Sequence, residues 1–222
     1  MMKTLEELNR IKSLLLQMAA SIEASLSDAI NALLERDDTL AKRVIVKDKV
    51  INSFDVTIDE ECIKLIALKQ PVASELRFII TAMKITSDME RIGDLCVNIC
   101  ERVLELNREP QLKPYIDLPK MAETVKIMLN EVINAFVDKN LELACEVIKK
   151  DDDVDYYLNQ INDELLSFMI KDQKTIYRAN KITHIAKYLE RIADHCVNIA
   201  ENVIYLVKGK IIRHIEFTEE IC

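Results

Sequence analysis

The chain has 222 residues, half of them hydrophobic, enough for one large domain or two small ones. Its 2 glycines and 4 prolines are too few for the turns of a sheet protein of this size. A net charge of −8 argues against a nucleic-acid partner, and no stretch approaches the roughly 20 apolar residues of a membrane span.

Apolar residues at steps of three and four begin with Leu5, Leu8, Ile11, Leu15, Met18 and Ile22 and continue through Leu33. That spacing predicts a first helix over about 4–35 with one buried stripe. Asp37 and Asp38 offer caps for a second helix over about 39–69. Pro71 suits the first turn of a third helix that runs to about Leu106. Two prolines, Pro110 and Pro114, then mark a polar linker over 109–117. A fourth helix is expected over about 119–137, a fifth over 141–169 and a sixth over 175–207, stopped by Gly209. The acidic, amphipathic opening Met1–Arg10 lacks the apolar core of a signal peptide, so the expected location is cytoplasmic, with any membrane met only through partners.

The two halves repeat each other. Residues 18–48 align with 121–151 at an offset of 103, with 12 of 31 pairs identical. Residues 89–103 align with 189–203 at an offset of 100, with 10 of 15 identical. The offset changes between the second and third helices of each half, where an indel belongs in a loop. The fold expected is therefore all-α: six long helices forming two tandem three-helix bundles. The first unit is 1–108 and the second 118–222, with the linker between them.

The repeated residues carry an acidic pattern. Glu90 and Asp94 share one arc of the third helix with Asn98 and Glu101, and Glu190, Asp194, Asn198 and Glu201 do so on the sixth. The second helix adds Asp48 and Asn52, and the fifth adds Asp151 and Asp155, again four residues apart. In antiparallel hairpins these pairs lie at matching heights, because rise per residue is constant. Convergent carboxylates of this kind suit hard or borderline cations. Solvated acidic faces are the plainer alternative, but these residues persist in both halves while Leu95 and Arg102 have become His195 and Asn202. His184 and His195 are absent from the first half and read as surface or packing residues. Arg91 and Arg191 are retained; an Arg beside a carboxylate pair can hold a partner's side chain or accept an anion, and an ion pair between the units is the favoured, plainer use. The six cysteines form no C-x-x-C pair and read as small buried hydrophobes.

These motifs resemble the PhoU family. The resemblance rests on Gln70-Pro71, Ala73, Leu76 and Arg77; on Asp88, Glu90, Arg91, Ile92, Gly93 and Asp94 with Asn98-Ile99; and on Leu189, Glu190, Arg191, Ile192, Asp194 and His195 with Asn198-Ile199. The closing Gly209, Arg213 and His214 complete it. It implies two three-helix bundles in quasi-twofold symmetry. It also implies multinuclear metal sites, iron or zinc, on Asp48, Glu90 and Asp94 and on Asp151, Asp155, Glu190 and Asp194. Asn52 departs from the acidic pattern of the first site. By the same resemblance the protein is no enzyme. It is expected to link a phosphate-specific ABC transporter to a phosphate-sensing histidine kinase, keeping the starvation response off when phosphate is plentiful. Apolar stripes left on the units suit a homodimer. Two alternatives remain: a di-iron carboxylate enzyme, which needs a Glu-x-x-His pair that neither His184 nor His195 supplies, and a metal-free helical scaffold.

Overall fold

A computed structural model describes residues 2–210, with side chains from residue 6 onward. The helices among them are α1 (Met2–Glu35), α2 (Asp38–Lys69), α3 (Ala73–Leu106), α4 (Asp117–Asp138), α5 (Leu141–Lys171) and α6 (Ile176–Lys208). One 3-10 turn, Gln173–Thr175, leads into α6. The closing residues Arg213 and His214 of the sequence pattern lie outside the described residues.

Local chemistry sets the helix starts. The Asp37 carboxylate accepts from the N–H groups of Thr39 at 2.8 Å and Leu40 at 3.0 Å, capping α2. Asn140 does the same for α5, accepting from Leu143 N at 3.1 Å. Pro71 does not enter α3. Val72 is the cap residue, and Glu75 reaches back to accept from Val72 N at 3.2 Å. Placing Pro71 before the cap leaves all of the helix's N–H groups in place.

The helix ends were less legible. Gly209 does terminate α6 in the left-handed region, at φ 71°. Three more turns use non-glycine residues there: Arg36 (φ 57°), Gln70 (φ 48°) and Lys139 (φ 51°). Each carries a conformational cost of about 1 kcal/mol, so something must offset it. For Arg36 the offset is visible. Its guanidinium donates to the carbonyls of Leu106 at 3.2 Å, Asn107 at 3.1 Å and Glu109 at 2.6 Å. A cation thus caps the carbonyl end of α3, where the helix dipole favours it.

Each half is an antiparallel three-helix unit. The units join through α3 against α6 and α1 against α4. Buried residues of both form one continuous core. Ile85, Met89, Ile92, Cys96 and Ile99 of α3 are fully buried, as are Ile185, Leu189, Ile192, Cys196 and Ile199 of α6. Burying each large apolar side chain contributes roughly 1.5–3 kcal/mol. Phe78 of α3 stacks on Phe136 of α4, with ring centroids 5.4 Å apart, sealing one end of the junction.

The segment between the units is fastened down. Lys113 is buried and pairs with Glu164 of α5. Arg178 donates to Pro110 O at 3.1 Å. Among the described residues, no helix is long and apolar enough to cross a membrane. Cys62, Cys96, Cys100 and Cys196 are buried free thiols. Burial pushes Cys62 and Cys100 up to about 12, and Cys96 and Cys196 also upward, which suppresses the reactive thiolate.

Candidate metal centre

Four of the seven acidic residues named from the sequence lie on α5 and α6. Asp151 and Asp155 face Glu190 and Asp194 across the hairpin. Burial, then the charges of Asp194, Asp155 and Glu190, push the Asp151 carboxyl up to about 6. Asp194 is raised by burial first and by Glu190 next, while Lys187 opposes the rise. Lys187 forms an ion pair with one oxygen of Glu190. The other, Oε2, is buried and has no hydrogen-bond partner.

In the first unit, Asp48 of α2 meets Glu90 and Asp94 of α3. Burial raises Asp48, the hydrogen bond from Asn52 lowers it, and Asp94 raises it. The Asn52 amide donates to Asp48 Oδ2 at 2.8 Å. Asp48 Oδ1 is buried without a partner. Asn52 thus serves as a prop for Asp48, where Asp155 stands as a fourth carboxylate in the other unit. Gly93 lies where α2 packs closely on α3. A Cβ there would lie 3.1 Å from Ile51 Cγ2 and 3.3 Å from Asp48 Oδ1.

Sequence reasoning passed over one carboxylate. Asp55 lies one turn beyond Asn52 and feels both Asp59 and Arg91, with burial as the main cause of its raised pKa. Its charge in turn raises Glu90, after burial and Asp94. The repeat hid it, because its counterpart is Leu158. A search by helix-face geometry within the first unit alone would have found it.

Among the described residues, neither Arg91 nor Arg191 makes the ion pair between the units that was expected of it. Arg91 stays on its own helix, 3.4 Å from both Glu90 and Asp94. His195 instead reaches across the units, its Nδ1 2.9 Å from Asp88 Oδ1 on α3, and Lys181 of α6 pairs with Glu105 of α3 at 2.5 Å. Glu101 turns to Arg102 at 3.4 Å instead of joining the carboxylates.

As the side chains stand, no three His, Cys, Asp or Glu groups among the described residues converge on a single ion-sized point. The donor chemistry nevertheless fits a cation. Each unit groups mutually repelling carboxylates at a helix contact, and within each group one oxygen, Asp48 Oδ1 or Glu190 Oε2, is buried without a hydrogen-bond partner, as are oxygens of Glu7, Glu105 and Glu131 elsewhere. An unpaired buried acceptor of this kind costs about 1–3 kcal/mol, and a bound cation would remove that cost. Asp48, Glu90 and Asp94 would hold it in the first unit, and Asp151, Asp155, Glu190 and Asp194 in the second.

The family model described as the PhoU domain matches this chain twice, over residues 15–103 and 118–203. The chain belongs to the PhoU family. The phosphate-specific transport system accessory protein PhoU homolog of Aquifex aeolicus is 40% identical over 219 residues, 99% of each chain. The PhoU accessory protein of Escherichia coli is 36% identical over 209 residues, 94% of this chain and 87% of that one. The crystal structure of PhoU from Pseudomonas aeruginosa superposes with a TM-score of 0.89 at 38% identity, over 92% of this chain and 99% of that one. The phosphate transport system regulatory protein PhoU from Streptococcus pneumoniae gives 0.86 at 30% identity, over 94% and 98%. PhoU proteins are regulatory accessory proteins and are not known as enzymes.

Proposed function

We propose that this protein is a cytoplasmic regulator accessory to phosphate-specific transport. In this reading it links the phosphate-specific ABC transporter to the phosphate-sensing histidine kinase, acts as a homodimer, and keeps the starvation response off when phosphate is plentiful. Its two acidic centres bind metal ions, iron or zinc. The observation that carries the transport reading is the full-length likeness to PhoU homologs named for the phosphate-specific transport system. Support for the metal comes from the duplicated carboxylate sets, each with an unsatisfied buried oxygen.

The centres sit on both arms of the α2–α3 and α5–α6 hairpins, so a cation there fixes each hairpin's two helices together. That coupling tunes the outer helix faces, which partners meet. Elemental analysis tests the metal. The purified protein, after reconstitution with iron, zinc or manganese, is compared with Glu90→Ala/Asp94→Ala and Glu190→Ala/Asp194→Ala. Metal lost from each double variant supports both centres, whereas a parent that takes up none returns the carboxylates to solvated surface. Expression of a phosphate-starvation reporter in cells lacking the gene tests regulation. Continued repression in phosphate-rich medium without this protein would refute it.

A further inference from the structure

Between the two centres, α3 and α6 flank an open cleft of about 420 Å³. Its lining is symmetric but for one pair: Arg91, Asp94 and Asn98 from α3 oppose Arg191, Asp194 and Asn198 from α6, while Leu95 on α3 is matched by His195 on α6. We propose that this cleft binds an oxyanion of the phosphate class, gripped by Arg91 and Arg191 and oriented by the amides of Asn98 and Asn198.

Chemistry argues for an oxyanion. Guanidinium groups present forked N–H donors that match phosphate bidentately, and each carboxamide adds two more donors. Both arginines are available. Arg191 makes no ion pair or hydrogen bond among the described residues, and Arg91 is 62% exposed with both of its contacts at 3.4 Å. Packing does not require the exposed arginines, and the amides beside them are half-buried. Yet Arg91 and Asn98 recur as Arg191 and Asn198 across the duplication, while Leu95 in the same cleft has become His195.

Asp94 and Asp194 set the condition. Their charges oppose a phosphate dianion while they are free. Both belong to the proposed metal centres, so this inference rests on that reading for its regulation. Cations on those carboxylates spend their charge and leave two guanidinium groups dominating the cleft. The volume exceeds that of a bare phosphate, so the ligand is either free phosphate with water or a phosphorylated side chain of a partner.

The test is equilibrium dialysis of radiolabelled inorganic phosphate against the full chain, metal-free and loaded with manganese. Parent protein is compared with Arg191→Gln and with Arg91→Gln/Arg191→Gln, with metal content and melting temperature measured on the same samples. The expected result is phosphate held by the loaded parent and weakened at least tenfold in the double variant, at unchanged metal content. Displacement of phosphate by a phosphoserine peptide at lower concentration assigns the site to a partner's side chain; displacement only at equal or higher concentration assigns it to free phosphate. Arginine-dependent binding by the metal-free parent keeps the site and removes its metal dependence. If the parent takes up no manganese, the metal reading fails and the metal-free arm alone decides the cleft. Equal affinity in parent and double variant overturns the proposal, as does failure of both phosphate and phosphopeptide to bind the parent in either state.

Discussion

Asp151→Asn removes one charge from the carboxylate set of α5 and α6 while keeping the side chain's size. In the metal-free protein the Asp151 carboxyl titrates at about 6 instead of its ordinary 3.8, because it is buried among Asp194, Asp155 and Glu190. A rise of that size corresponds to about 3 kcal/mol. Asp151 keeps partial contact with water, so screening reduces the usable figure to about 1–2 kcal/mol. The folded-state value lies above the unfolded one. The group's stabilisation is therefore fully present below pH 4 and is lost as pH rises through 6. At pH 7.5 the metal-free asparagine variant should be more stable than the parent by that amount. For a chain of this length, this raises the melting temperature by about 2–8 °C. The loss between pH 4 and 7 should also flatten in the variant. Added metal should reverse the order, since the parent keeps a ligand that the variant lacks. Melting curves at pH 5 and 7.5, with and without metal, measure all of this. A metal-free variant less stable than the parent at pH 7.5, with an unchanged pH slope, would refute the reasoning.

Other perturbations test the frame around the centres. Arg36→Ala removes three hydrogen bonds to the carbonyl end of α3 and should cost about 1–3 kcal/mol in denaturant unfolding. Gly93→Ala gains helix propensity of about 1 kcal/mol but crowds Ile51 and Asp48, so stability should change little. Its metal content should instead fall in the first unit only. Lys113→Met leaves Glu164 without its partner; hydrogen exchange should rise over 109–117 while the α3–α6 core stays protected.

Periodicity made the six helices legible, because each buries a stripe against the same core. The duplication made the carboxylate pairs legible, since a pattern seen twice stands out from a scatter of surface charge. The same filter discarded what the copies do not share. Asp55 was lost because Leu158 stands opposite it in the repeat, and the His195 to Asp88 bridge because the first unit has Leu95. Helix ends at Arg36, Gln70 and Lys139 gave no signal, as their left-handed turns are held by tertiary contacts or by neighbouring carbonyls and not by glycine. The linker's prolines suggested slack, yet Lys113 and Arg178 tie it to the second unit through partners remote in sequence.

The bridge from His195 to Asp88 has an evolutionary consequence. Two separate copies of one three-helix unit, paired through this helix, would meet as identical partners. Any residue introduced on one side would appear on the other, and a histidine could find its aspartate only if both served at once. Covalent fusion lifts that constraint. The tether holds the halves at millimolar effective concentration, so their contact need not be strong enough to assemble from solution. Each half is then free to drift apart from its twin. Here the reciprocal positions have become Leu95 and Tyr188, which cannot form such a bridge. A once-symmetric seam has acquired a left and a right side, so the two halves of a single polypeptide are no longer interchangeable.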